Sequence, residues 1–264
     1  MQRYLAVAVD AARAAGRLQR ERLGSVMAVA FKGEINLVTE VDRESEELIV
    51  GMLRAACPDS DIVAEENDYG ARRTNLAWIV DPLDGTTNFA HGFPWFAVSI
   101  ALEVDGEIRV GVVYHPCLDE LFTAVRGEGA FLNGRRLAVS DRAPLKSCLL
   151  ATGFPYDRTW DNENNFDNFC RFQMAARGVR RFGAAALDLA YVAAGRLDGY
   201  WECKLKPWDV AAGRLLVEEA GGRMSNHVGE AFSIYDHRIL ASNGLVHEEM
   251  RGLLQRDGSR GVPV

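Results

Sequence analysis

The segment Trp78-Ile79-Val80-Asp81-Pro82-Leu83-Asp84-Gly85-Thr86-Thr87-Asn88-Phe89 sets the strongest limit on what this chain can become. Its apolar start reads as a short strand over residues 77–80, which ends beside two carboxylates. Pro82 fixes the chain direction after Asp81. Asp84 follows one turn later, so both acids converge on one point. Gly85 permits a positive φ or a close backbone approach. Thr86 and Thr87 then offer hydroxyls and backbone N–H groups, as at the start of a short helix, where an anion is readily held. A plain polar turn, with Thr86 as a helix cap, explains an isolated Asp-Gly pair. It leaves the second acid, the second threonine and the strand unexplained.

Three further acidic positions have similar settings. Glu65-Glu66 closes the apolar run Ile62-Val63-Ala64, where a solvated loop is the alternative. Asp42 stands in Thr39-x-x-Asp42, which also fits a capping box opening the next helix. Asp209 follows Lys206-Pro207-Trp208 at a helix start, where an acid also suits the helix dipole. Taken singly, each position keeps both readings. Taken together, four or five converging carboxylates repel by several kcal/mol at an intermediate dielectric of about 20. Divalent cations remove that penalty. An oxygen-only donor set, without clustered His or Cys, selects Mg²⁺ first and Mn²⁺ next.

The composition narrows the partners. The 264 residues carry a formal net charge of −7, with a pI near 5.4, which argues against nucleic acid or an anionic membrane. An anionic small substrate remains compatible, because a bound cation reverses the local field. The five cysteines are scattered without a CxxC pair, so they are expected as buried free thiols rather than a disulfide framework or zinc site. Residues 1–24 carry Asp10, Arg13, Arg17 and Arg20 at regular intervals. They read as an amphipathic surface helix on Leu5, Val9, Ala12 and Ala15/Gly16, not as a targeting segment. No run approaches the ~18 apolar residues of a membrane span, and the expected location is the cytoplasm.

Along the chain, a helix over 39–57 is stopped by Pro58. An antiparallel meander follows: strands 98–104 and 108–114 about Asp105-Gly106, then 121–125, then 131–132 and 137–139 about Asn133-Gly134. The second half alternates strands at 148–151, 179–182 and 200–201 with helices at 165–176, 184–194 and 210–220, the last closed by Gly221-Gly222. The expectation is a mixed α+β and α/β chain forming one unit over 1–264. Its metal-rich half spans 1–145 and its α/β half 146–264.

The core Asp81-Pro82-Leu83-Asp84-Gly85-Thr86-Thr87-Asn88-Phe89 resembles the first signature of the inositol monophosphatase family. Trp208-Asp209-Val210-Ala211-Ala212-Gly213, with Glu218-Glu219-Ala220-Gly221-Gly222 behind it, resembles the second. Glu65-Glu66 and the stretch from Lys32 to Asp42 match that pattern in order and spacing, and the similarity covers roughly residues 5–255. The resemblance implies a five-layered αβαβα sandwich, Mg²⁺ dependence, frequent Li⁺ inhibition and usually a homodimer. It places one ion on Glu65, Asp81 and the Leu83 carbonyl, a second on Asp81, Asp84 and Asp209, and a looser third near Glu65. Asp42 and Thr86 would orient and deprotonate the attacking water. Gly85, Thr86 and Thr87 would contact phosphate, Glu202 the substrate hydroxyls and Ala185 the ring. Lys32 would lie in the metal-proximal loop. Lys206 either reaches an acidic or polyhydroxyl substrate or is simply solvated.

The implied reaction is Mg²⁺-dependent hydrolysis of a small phosphomonoester by metal-activated water, with no Ser, Cys or His placed as a covalent nucleophile. myo-Inositol 1-phosphate leads, and histidinol phosphate and fructose 1,6-bisphosphate are rivals. The non-enzymatic rival is a binding protein that keeps the fold to regulate a partner.

Overall fold

Small side chains decide how the first layer packs. The computed structural model describes residues 1–25, 29–31 and 37–254, with the backbone alone for 29–31 and 37–39. Helix α1 (Gln2–Arg22) buries Ala8, Ala11, Ala12, Ala15, Gly16 and Gln19. The inward stripe is therefore turned from the expected one, with Leu5 and Val9 only half-buried. Gly16 shows the physical reason: a Cβ there would lie 2.5 Å from the Tyr114 ring. The small face lets the helix approach the sheet more closely than leucines allow. Strands β1 (Val29–Phe31) and β2 (Leu37–Thr39) form an antiparallel pair. Helix α2 (Glu40–Ala56) adds Ile49, Val50 and Leu53 to the same layer.

The first sheet has seven strands in chain order: β3 (Asp61–Ala64), β4 (Leu76–Asp84), β5 (Ala97–Val104), β6 (Glu107–His115), β7 (Glu120–Val125), β8 (Gly129–Leu132) and β9 (Arg135–Arg136). Only β3 and β4 pair in parallel; the rest form an antiparallel meander. Both faces are covered. Trp78 and Val80 pack toward α1 and α2, whereas Ile79 faces the opposite core. That is why β4 reads as a continuous apolar run rather than an alternation. The two hairpin turns behave as their sequences require, with consecutive positive φ angles at Asp105 (53°) and Gly106 (80°), and at Asn133 (48°) and Gly134 (79°). The returning strand is Arg135–Arg136, not the expected 137–139. Val139 instead donates its N–H to Ala220 O at 3.1 Å, which draws the chain off the sheet.

The short helix α3 (Thr86–Ala90) follows β4, and a 3₁₀ turn at Leu145–Ser147 leads into the second half. There the second sheet has the order β11-β10-β12-β14-β13, from β10 (Leu149–Thr152), β11 (Gly178–Arg180), β12 (Gly199–Cys203), β13 (Arg223–Ser225) and β14 (Arg238–Ser242). Strand β10 pairs in parallel with β11 and β12, and β14 runs antiparallel to β12 and β13. Helices α4 (Phe166–Ala175) and α7 (His247–Leu254) cover its outer face through Phe172, Trp201, Leu240 and Met250. Helices α5 (Ala185–Ala193) and α6 (Pro207–Glu219) lie between the two sheets, in one apolar core shared with both. The layers run αβαβα, with two mixed sheets.

All five cysteines are free, and Cys170 is exposed, contrary to the buried thiol expected there. Among the described residues no helix is long and apolar enough to cross a membrane.

The central layer is as tightly seated as the first. A Cβ on Gly111 would lie 2.9 Å from Ala212 O, and one on Gly213 would lie 2.6 Å from Leu189. Gly111→Val is expected to lower the unfolding free energy by about 1–3 kcal/mol through overpacking against α6. Urea denaturation with an unchanged midpoint would contradict this seating.

Candidate active site

Asp81 and Asp84 are three residues apart, a spacing that in a regular strand sends side chains to opposite faces. The structure resolves this with a β-bulge. Asp81 pairs with Ser99 and Asp84 with Ala97, so three steps on β4 match two on β5. The extra residue re-aims the end of the strand, and both carboxylates line one cavity of about 390 Å³. Leu83 N–H donates to Asp81 Oδ1 at 3.0 Å, fixing the turn. Gly85 has φ 99°, and a Cβ there would lie 3.0 Å from Trp95 O, so the tight exit from β4 requires glycine.

Two other elements deliver the remaining acids, and a third supplies an N–H donor. Glu65 follows the end of β3, which is parallel to β4, so the two strand ends open on the same side. Asp209 stands in the first turn of α6 and accepts Lys206 N–H at 2.7 Å. The capping reading and the cavity-lining reading of Asp209 are thus both realised, since it lines the same cavity. Asp84 Oδ2 accepts Ala186 N–H at 2.7 Å from the start of α5. The cavity therefore gathers strand ends and the first turns of α3, α5 and α6.

The electrostatics is that of anions lacking a counter-charge. Burial pushes Asp81 well above the ordinary carboxylate range, and the facing Glu65, Asp84 and Asp209 push it further. Burial likewise raises Asp84, with Asp209 next in effect, against the lowering hydrogen bond from Ala186. Lys204 lines the cavity too, but its Nζ is held by Asp157 and Asp161, each at 2.7 Å. Among the described residues no three His, Cys, Asp or Glu side chains are already closed to a metal-ligand grouping. The donor chemistry nonetheless fits a hard cation: Glu65, Asp81, Asp84, Asp209 and Leu83 line the cavity with oxygen donors; among the described residues no His lines it, and its one cysteine, Cys203, is a buried thiol on β12.

Asp42 lies behind this wall. It is buried in the first turn of α2, and its Oδ1 accepts the Thr86 hydroxyl at 2.8 Å. Thr86 lines the cavity and also approaches Leu83 O at 3.2 Å. Glu202 on β12 also lines the cavity and accepts a short hydrogen bond from the Tyr200 hydroxyl. Burial lifts Glu202 to about 7, opposed by Tyr200 and Arg181. Gly153 makes room for it, because any Cβ at that position would collide with both Glu202 carboxylate oxygens. Ala185 lines the cavity and Lys206 sits exposed at its rim, whereas Thr87 is exposed and outside the lining. The Lys32 expectation lies outside the described residues.

Sequence reasoning missed Gly153, Tyr156, Arg181 and Asp188, which also line the cavity. A signal for Asp188 was present, as the lone acid in the otherwise apolar Ala184–Ala194 stretch. Gly153 carried none, because the clash that demands glycine comes from a residue 49 positions away.

Known proteins share the sequence and fold of this chain. The model of the inositol monophosphatase family matches residues 1–258. An inositol-1-monophosphatase of Synechocystis is 45% identical over 252 residues, covering 95% of this chain and 88% of its own. The Nus factor SuhB of Pseudomonas aeruginosa is 49% identical over 251 residues, covering 92% of each. The solved inositol monophosphatase of Anabaena superposes with a TM-score of 0.89 at 42% identity, over 97% of this chain and 96% of its own. The chain belongs to the inositol monophosphatase family and is a phosphoric monoester hydrolase.

Proposed function

We propose that this phosphatase hydrolyses myo-inositol 1-phosphate or a closely related polyol phosphate with the help of two to three Mg²⁺ ions, Mn²⁺ being a substitute. The observation that carries the reading is one cavity lined both by mutually repelling carboxylates and by the buried Glu202, which accepts the Tyr200 hydroxyl and suits a substrate hydroxyl.

In this reading Glu65, Asp81, Asp84, Asp209 and the Leu83 carbonyl hold the ions. When bound, Mg²⁺ supplies positive charge against the phosphate and the departing oxygen. The chain's own residues do the rest. Thr86 Oγ1, which donates to Asp42 Oδ1 and lines the cavity, would accept a proton from the attacking water as its own proton passes to Asp42. Asp42 takes up the resulting charge through the same hydrogen bond. The water oxygen bonds to phosphorus as the phosphorus–oxygen ester bond breaks; the leaving alkoxide takes a proton from solvent, and Asp42 returns the one it received to solvent. Gly85 and Thr86 seat the phosphate, while Ala185 and Glu202 position the ring and its hydroxyls. Relatives from Pseudomonas, Pasteurella, Salmonella and Escherichia coli are named Nus factor SuhB, which gives a regulatory role as the second reading. Here the complete carboxylate wall supports catalysis, since convergent buried acids destabilise a fold that has no use for them.

Asp84→Asn is expected to cut phosphate release by about 10³-fold, the equivalent of ~4 kcal/mol in transition-state stabilisation, with the circular dichroism spectrum unchanged. Undiminished turnover at saturating Mg²⁺ would end the proposal for this residue.

The raised pKa of Asp84 also fixes the sign of a stability effect. The folded chain keeps a proton on Asp84 at pH values where the unfolded chain, with an ordinary pKa near ~3.9, has lost it. Stability of the metal-free protein therefore falls as pH rises from that value toward the folded pKa. In excess chelator, the melting temperature of Asp84→Asn should draw level with wild type near pH 4 and exceed it increasingly toward pH 8. A gap independent of pH would show that Asp84 carries no such strain.

Across a substrate panel at saturating Mg²⁺, with chelator as the blank, kcat/KM should be highest for inositol 1-phosphate, ahead of histidinol phosphate and fructose 1,6-bisphosphate. A tenfold or greater advantage for histidinol phosphate would transfer the assignment to that amino alcohol.

A further inference from the structure

Helix α5 is buried throughout, and every residue from Ala185 to Ala193 is apolar except Asp188. Asp188 is 2% exposed, and its Oδ1 has no hydrogen-bond partner among the described residues. A partnerless polar group in a packed interior costs about 1–3 kcal/mol on the mutational scale, more than an alanine here would. Such a group calls for an explanation, and its position supplies one. Asp188 lines the same cavity as Asp84 and Glu202.

The groups that face it are already engaged or unsuited to complete it. The Tyr200 hydroxyl on β12 is spent on Glu202. Asp84 on β4 accepts Ala186 N–H and, like Glu202, pushes the Asp188 carboxyl up after burial has done so; Arg181 pulls the other way. Asp188 therefore lies on the wall that runs from the carboxylates holding the reacting end to the acid that contacts the leaving group. What it lacks is a ligand that both donates and accepts.

We propose that Asp188 is a specificity-determining residue that takes a second hydroxyl of the leaving group, beside the one held by Glu202. The site then selects phosphomonoesters of polyols with hydroxyls on adjacent carbons. This rests on the polyol-phosphatase reading above. A hydroxyl can both donate to and accept from a buried carboxyl, whereas an ammonium only donates. A simple aryl or alkyl phosphate reaches the carboxylate wall and leaves Asp188 unused.

The test compares wild type, Asp188→Ala and Asp188→Asn on inositol 1-phosphate, histidinol phosphate and p-nitrophenyl phosphate at saturating Mg²⁺. Asp188→Ala is expected to lose about 10- to 100-fold in kcat/KM on inositol 1-phosphate, mostly through KM. Its rate on p-nitrophenyl phosphate should stay within about threefold. Asp188→Asn, which keeps a donor and an acceptor, should hold inositol 1-phosphate turnover within about threefold of wild type. Should Asp188→Ala fail to fold, Asp188→Val reads the same loss. Equal losses on both esters, unchanged turnover of inositol 1-phosphate, or a loss confined to histidinol phosphate would each overturn the inference. A wild type with no preference for inositol 1-phosphate over p-nitrophenyl phosphate would overturn the function reading as well. A preference that survives in Asp188→Ala overturns only the role of Asp188.

Discussion

Like charges held close together in a dehydrated wall are the constraint on which the rest of this structure depends. Asp81, Asp84, Glu65 and Asp209 reach one cavity from three separate stretches of chain, and their burial and proximity raise the protonation tendency of the first two. Left to themselves these groups favour a looser arrangement. The scaffold resists through short backbone hydrogen bonds: Leu83 to Asp81, Ala186 to Asp84, and Lys206 to Asp209. Each is an N–H donor aimed at a carboxylate, and each leaves further lone pairs for a ligand.

The Glu202 side of the cavity lining works by a different balance. Glu202 sits at the inner side of β12, closed in by Tyr200 and by the bare backbone of Gly153. Its position is thus set by a residue with no side chain and by a phenol on its own strand. Arg181 lies across Gly183, whose φ of 86° is a backbone conformation that L side chains rarely adopt. Glycine therefore serves the two places differently, leaving space for a carboxylate at one and a left-handed backbone at the other.

Much of this was legible in the sequence, and the reasons can be named. The strand-to-acid junction at Val80-Asp81 and the helix start at Pro207 announced themselves because local rules decide them. Asp42 kept two readings because Thr39-x-x-Asp42 satisfies a capping rule; only the fold brings the Thr86 hydroxyl to it. The hairpins about Asp105-Gly106 and Asn133-Gly134 were readable from turn chemistry, whereas the end of the second was not, since Val139 leaves for a partner at Ala220. Strands β13 and β14 and helix α7 escaped notice. The strands are short, begin with exposed arginines and owe their pairing to distant neighbours. Asp188 was passed over as part of an apolar helix, although an acid in that company is itself the clue.

The layer formed by α5 and α6 belongs to both sheets at once, with Gly111 and Gly213 letting it press directly on its neighbours. Each sheet consequently has one face whose only cover is shared property. Peeling either sheet away strips the other of its lining and, in the same movement, carries off the helix starts that bear Asp209 and cradle Asp84. Such a molecule has no half that survives alone, so heating or denaturant should erase tertiary structure and hydrolytic power along a single cooperative curve.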